Sequence, residues 1–97
     1  MRVADFLSAG KENALPGRDL VRLLGLRDLR DLTQMVEVER RAGSPICASV
    51  GTPPGYYLAE SAEELRFYLA SLQRRENEVG KTRQSLETIL HSWEARA

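Results

Sequence analysis

Ninety-seven residues suit one small domain with a modest core and leave no room for a deep enzyme cleft with its own walls. Apolar residues at 42% and charged residues at 29% are ordinary for a globular chain, and the 14 basic and 14 acidic residues cancel, which excludes a broad basic field that would draw the chain to nucleic acid. No apolar run approaches the roughly 20 residues of a membrane helix, and Met1 to Ala9 lacks the basic and apolar regions of a signal peptide, so a cytoplasmic location without membrane contact is expected.

The chain opens with Val3, Phe6 and Leu7 at helical spacing between Arg2 and Ala9, and Gly10 closes this expected first helix. Lys11, Glu12 and Asn13 form a polar loop, after which Ala14 and Leu15 are placed as a minimal strand beside a later hairpin. Pro16 and Gly17 open a second helix from Arg18 to Leu24, with Leu20, Val21, Leu23 and Leu24 facing largely inward. Gly25 ends it, Leu26 is an apolar plug at the corner, and Asp28 is an N-cap for a third helix from about Leu29 to Ala42. Leu29, Leu32 and Val36 make its buried stripe, with Met35 at the margin.

Gly43 can take the left-handed conformation that stops a helix, and Pro45 forbids its continuation. Ile46 and Ala48 then alternate with Cys47 and Ser49 as a strand. Gly51, Pro53, Pro54 and Gly55 break it, and Tyr56, Tyr57 and Leu58 form the returning strand of a hairpin. Ser61 and Glu64 make a capping box that starts a fourth helix, uninterrupted by proline to about Arg96. Leu65, Leu72, Val79, Leu86 and Trp93 recur every seven residues, joined by Tyr68 and Leu69 at the start and Ile89 and Leu90 at the end. Arg75 and Thr82 occupy the second apolar position in the middle, where Gly80 also sits.

Such a helix is longer than a sixty-residue domain is wide, so its distal part is expected to pair with another copy through Leu72, Val79, Leu86, Ile89, Leu90 and Trp93. The alternative is a break near Gly80 that folds the end back on the same subunit. The expected architecture is therefore mainly α with a small β-hairpin. Residues 1–60 form the domain, and residues 61–97 form a long helix for oligomerisation.

The order helix, helix, turn, helix, hairpin, with L-G-L at Leu24 to Leu26, R-x-x-G-x-P-I from Arg40 and G-Y-Y-L from Gly55, resembles the winged helix-turn-helix superfamily. The resemblance is to the N-terminal domain of biotin repressor-type regulators and to small phage and prophage proteins of Gram-positive bacteria that carry this domain before a long helix. The turn after Gly25 is longer than usual for that family. The resemblance implies double-stranded DNA as partner, with the third helix in the major groove and its exposed residues meeting base edges.

Keeping Leu32 and Val36 in the core leaves Arg27, Arg30, Thr33, Gln34 and Glu37 outward. Arginine can make bidentate bonds to guanine, glutamine to adenine, and threonine can touch a phosphate or a thymine methyl. Arg41 joins this set if it is grouped with Arg27 and Arg30 apart from the acids, and Arg18 lies where this architecture meets a phosphate, with Lys11 and Arg22 as further contacts. Ser44 to Tyr57 contain no lysine or arginine, so the wing offers only backbone amides, Ser49 and Thr52.

The competing expectation is a protein-interaction module that keeps the winged domain only as a scaffold, favoured by the zero net charge and the charge-free wing. No catalytic constellation, cofactor loop or small-molecule motif is evident. The lone Cys47 excludes an internal disulfide, and with His91 as the one other soft ligand no zinc constellation exists. Cys47 is expected to pack as an inert thiol and His91 to sit on a solvated face.

Overall fold

The structure, a computed structural model, describes residues 1–96; Ala97, the last residue of the expected helical segment, lies outside the described residues. Three α-helices and one hairpin follow two 3-10 turns. These are α1 (Gly17–Leu24), α2 (Leu29–Arg41), β1 (Ile46–Ser49), β2 (Gly55–Leu58) and α3 (Ala62–Arg96). The molecule is mainly helical, with a two-stranded antiparallel hairpin and a long C-terminal helix. No helix is long and apolar enough to cross a membrane.

Local chemistry explains the helix ends. Gly25 has φ 67°, and behind it Leu26 N–H donates to the Val21 carbonyl at 2.9 Å while Gly25 N–H donates to Arg22 at 3.3 Å, the double bond of a Schellman stop. The same pattern closes α2, where Ser44 N–H reaches Glu39 at 2.9 Å and Gly43 N–H reaches Arg40 at 3.0 Å. Asp28 caps α2 by accepting the Asp31 N–H at 2.9 Å, so the lengthened turn leaves the expected start of that helix in place.

The hairpin pairs Ile46 with Leu58, Cys47 with Tyr57, Ala48 with Tyr56 and Ser49 with Gly55. On its other edge β2 exchanges two hydrogen bonds with Leu15, at 2.8 and 2.9 Å, which realises the minimal strand expected at Ala14 and Leu15. This approach is possible only at glycine, because a Cβ on Gly55 would land inside the Leu15 carbonyl. Both faces of the hairpin are covered. Ile46, Tyr56 and Leu58 pack with Val3, Leu7, Leu20, Leu32 and Val36 under α1 and α2, while Cys47 and Tyr57 pack against Leu65, Tyr68 and Leu72 of α3. Burial pushes the Cys47 thiol up and the Tyr57 hydroxyl up to about 12.

Three expectations need correction. The segment from Arg2 to Ala9 is not an α-helix but a 3-10 turn at Val3–Phe6, and Lys11–Asn13 is a second such turn where a loop was expected. The four residues end at Leu7, which is extended, and are too few to establish an α-helical ladder, while Gly10 precedes the second turn instead of closing the first. Leu29 and Leu23 are 55% and 52% exposed rather than buried. Leu29 lies on the first turn of α2, where its tip leans over Gly17, and Leu23 sits on the flank of α1 beyond Leu20, away from Val21 and Leu24, which pack on the core.

The helix α3 is continuous through Gly80, so the folded-back alternative is not adopted. At its start Ser61 accepts the Glu64 N–H at 3.1 Å, whereas Glu64 reaches back to the Glu60 N–H at 2.8 Å, one residue earlier than an ideal capping box. Thirty-five residues extend about 52 Å. That length sets the 55 Å long axis and a radius of gyration of 17.6 Å, against about 13 Å for a compact chain of this size.

Candidate nucleic-acid interface

The acids of α2 are buried, paired or used as a cap. Glu39, seven residues after Leu32 and three after Val36, falls on the buried stripe. Its carboxylate accepts Val3 N–H at 2.6 Å and Ala4 N–H at 2.9 Å, which ties the N-terminal turn to α2. Asp31 is engaged by Arg27, with Nε to Oδ2 at 3.1 Å and Nη2 to Oδ1 at 3.3 Å, and this hydrogen-bonded guanidinium holds the Asp31 carboxyl below the usual carboxylate range. Asp28 serves as the cap, and Glu37 is paired with Arg40 at 2.9 Å.

Along one outward stripe lie Arg30, Gln34, the half-exposed Glu37 held by Arg40, and Arg41. Arg30, Gln34 and Arg41 are all exposed and lie opposite Leu32, Val36 and Glu39 on the helix, and the two arginines form no ion pair among the described residues. Arg27 is 88% exposed but already holds Asp31. Thr33 turns its hydroxyl onto the Leu29 carbonyl at 3.0 Å, on the flank toward Leu29 rather than in that row. Arg18 is exposed in the first turn of α1, and the approach of Leu29 to Gly17 brings that turn beside the start of α2.

Arg40 does not belong to the outward set. Its guanidinium donates to the Ile46 carbonyl at 2.8 Å and to the Tyr68 hydroxyl at 3.0 Å, and lies 5.5 Å from the Tyr68 ring centre. One side chain therefore fastens α2, β1 and α3 together. The position of Glu39 on the Leu32–Val36 stripe is visible in the sequence, whereas the inward turn of Arg40 is not.

The hairpin loop from Val50 to Pro54 carries Thr52 exposed and has no charge of its own. The fold supplies charge from elsewhere. A cleft of about 180 Å³ beside Ser49, Val50 and Gly51 is also lined by Lys11, Arg74 and Arg75, so α3 and the second 3-10 turn bring three cations to the loop. Lys11 lies 5.6 Å from the Phe67 ring centre. No pattern local to the hairpin could have disclosed this, because the residues are separated by more than twenty positions in the chain.

Two further surfaces are unpartnered. An apolar groove of about 580 Å³ runs along the flank of α2 between Leu26, Met35, Val38 and Ala42. The distal part of α3 exposes Val79, Leu86, Ile89, Leu90 and Trp93, whereas Leu72 is half-buried against the hairpin and so belongs to the domain rather than to the free stripe. Glu12, Glu60 and Glu64 approach one another at the foot of α3, where Glu64 also accepts the Lys11 N–H at 3.2 Å, a role that accounts for its position. Compared with protein-family models, with curated proteins and with solved structures, the chain matches none.

Proposed function

We propose that this chain is a non-catalytic, double-stranded DNA-binding protein of the winged helix-turn-helix class. In this reading α1 and α2 form the helix-turn-helix, α2 is the recognition helix, and the hairpin is the wing. The chain acts as a homodimer held by the distal part of α3, in a phage-type regulator of transcription or replication. The observation that carries the reading is the pairing of the acids of α2: they are held by Val3, Ala4, Arg27, Arg40 and the Asp31 amide, with Glu37 neutralised by Arg40 inside the outward row, while Arg30 and Arg41 of that row form no ion pair among the described residues.

Arginine and glutamine along one helical stripe are the side chains that read guanine and adenine edges. Lys11, Arg74 and Arg75 beside the hairpin loop, and Arg18 beside the start of α2, supply the phosphate contacts that a charge-free wing lacks. A neutral module with so few contacts binds weakly alone, and linking two raises the apparent affinity through effective concentration.

The test is fluorescence anisotropy of the full chain with a labelled duplex of random sequence, from low to physiological salt. Binding at low salt is expected, falling on a log–log plot by about 0.9 per phosphate contacted. Absence of binding at low salt overturns the reading. A second reading, a protein-interaction module, is favoured by the groove along Leu26, Met35, Val38 and Ala42, since apolar surface beside α2 suits a protein partner better than a phosphate backbone.

A further inference from the structure

The unpartnered stripe of α3 also constrains how two copies can meet. Leu65 and Leu72, which face the hairpin, and Val79, Leu86 and Trp93, which face solvent, follow one another at seven-residue steps on one uninterrupted helix. A straight helix drifts by only about 20° per heptad, so the distal stripe stays on the same side of α3 as the domain. Beside the stripe Arg83 is already satisfied within the helix by Glu87 at 2.6 Å, and Lys81, on the far side of α3, pairs with Glu78 at 3.1 Å. The stripe therefore presents an apolar seam with a neutralised edge, which suits an identical seam and selects no charged partner.

Resting on the homodimer reading above, we propose that the second copy runs antiparallel along α3, its compact domain lying beyond the C-terminal end of this helix. A parallel pair is blocked. Packed helices lie about 8–10 Å apart. In a parallel pair the face of α3 at Leu65 and Leu72 would point at the partner, yet each copy already holds its own hairpin, α1 and α2 on that face. The molecule, α3 included, measures 33 and 27 Å across its shorter axes, about three times the spacing of packed helices, so the domains of two copies do not fit between two parallel α3 helices unless α3 breaks.

Reversing the second copy removes the conflict. The stripe from Val79 to Trp93 covers about 21 Å and, turned end for end about Leu86, lies on itself. Trp93 of each copy then meets Val79 of the other, and the proximal half of the partner continues past the last turn of α3 into open space. The large aromatic at the far end of a protruding helix is thereby covered, and the row Arg30, Gln34 and Arg41 stays free in both copies because α2 takes no part in the seam.

The experiment is a spin-label distance on the full chain carrying Gln73→Cys, an exposed site on the face of α3 away from the stripe. Native Cys47 is fully buried, and the unsubstituted chain serves to show that it takes no label. At concentrations where sedimentation shows a dimer, a label separation of about 40 Å is expected from two offsets of thirteen residues about Leu86. Adding Trp93→Ala should shift the loss of the paired signal to roughly thirtyfold higher protein concentration. A separation of about 20 Å or less means a parallel pair and overturns the orientation while leaving the homodimer standing. Monomer at all concentrations overturns both, and the anisotropy assay reports DNA binding independently of either result.

Discussion

The two halves of α3 are one helix with one heptad register and opposite surroundings. Leu65, Tyr68 and Leu72 are covered by the hairpin, and Tyr68 is also held by Arg40, whereas Val79, Leu86, Leu90 and Trp93 are exposed. Trp93 is 64% exposed, at a position equivalent to half-buried Leu65 and Leu72. The difference teaches that the apolar pattern of a helix states how much surface must be covered, and only the length of the domain beside it decides how much is covered within one chain. A similar split runs around α2, where one face takes in a carboxylate to bind the N-terminal turn and the other keeps its arginines outward.

Tyr68→Ala should cost about 4 kcal/mol of domain stability in chemical denaturation, from a lost buried aromatic and an abandoned guanidinium partner. Glu39→Ala should cost about 3 kcal/mol, because it leaves the Val3 and Ala4 amides without an acceptor in the core. A smaller loss there would show that water reaches the N-terminal turn.

In the distal half the expected signature changes from folding to association. Trp93→Ala and Leu86→Ala should each weaken dimerisation by about 2 kcal/mol, roughly thirtyfold, in sedimentation, and should leave the thermal midpoint of the dilute chain where it was. A fall in that midpoint would place these residues in the local core and remove the contrast between the halves. The smallest effects are those of Arg30→Ala and Arg41→Ala, each costing about 1 kcal/mol of DNA binding in anisotropy and relaxing the preference at one base pair, with no change in stability.

Much of the architecture could be read from local chemistry. Gly25, Asp28, Gly43 and Ser61 mark helix ends because each has one stereochemical or hydrogen-bonding role that neighbouring residues suffice to reveal. Val3, Phe6 and Leu7 have α-helical spacing, but both Val3 and Leu7 are buried because the backbone is already extended at Leu7 after one 3-10 turn, a change of conformation that spacing does not encode. Leu23 and Leu29 were misplaced because a leucine at helical spacing is buried only where another element lies over it. Of the candidate interface, Arg30, Gln34 and Arg41 were legible from the stripe opposite Leu32 and Val36. The engagement of Arg27 with Asp31, the inward turn of Arg40, and the cations that Lys11, Arg74 and Arg75 bring to the hairpin loop depend on contacts between side chains or distant segments, which spacing does not encode.

The central claim, that the outward face of α2 meets duplex DNA, is tested most directly by mapping amide chemical shifts of the full chain as duplex is added at low salt. The account expects the largest changes from Arg27 to Arg41 on the face of Arg30, Gln34 and Arg41, with further changes near Arg18 and the hairpin loop. Changes confined to the groove at Leu26, Met35 and Val38 or to the distal stripe of α3, or none at all, would contradict it.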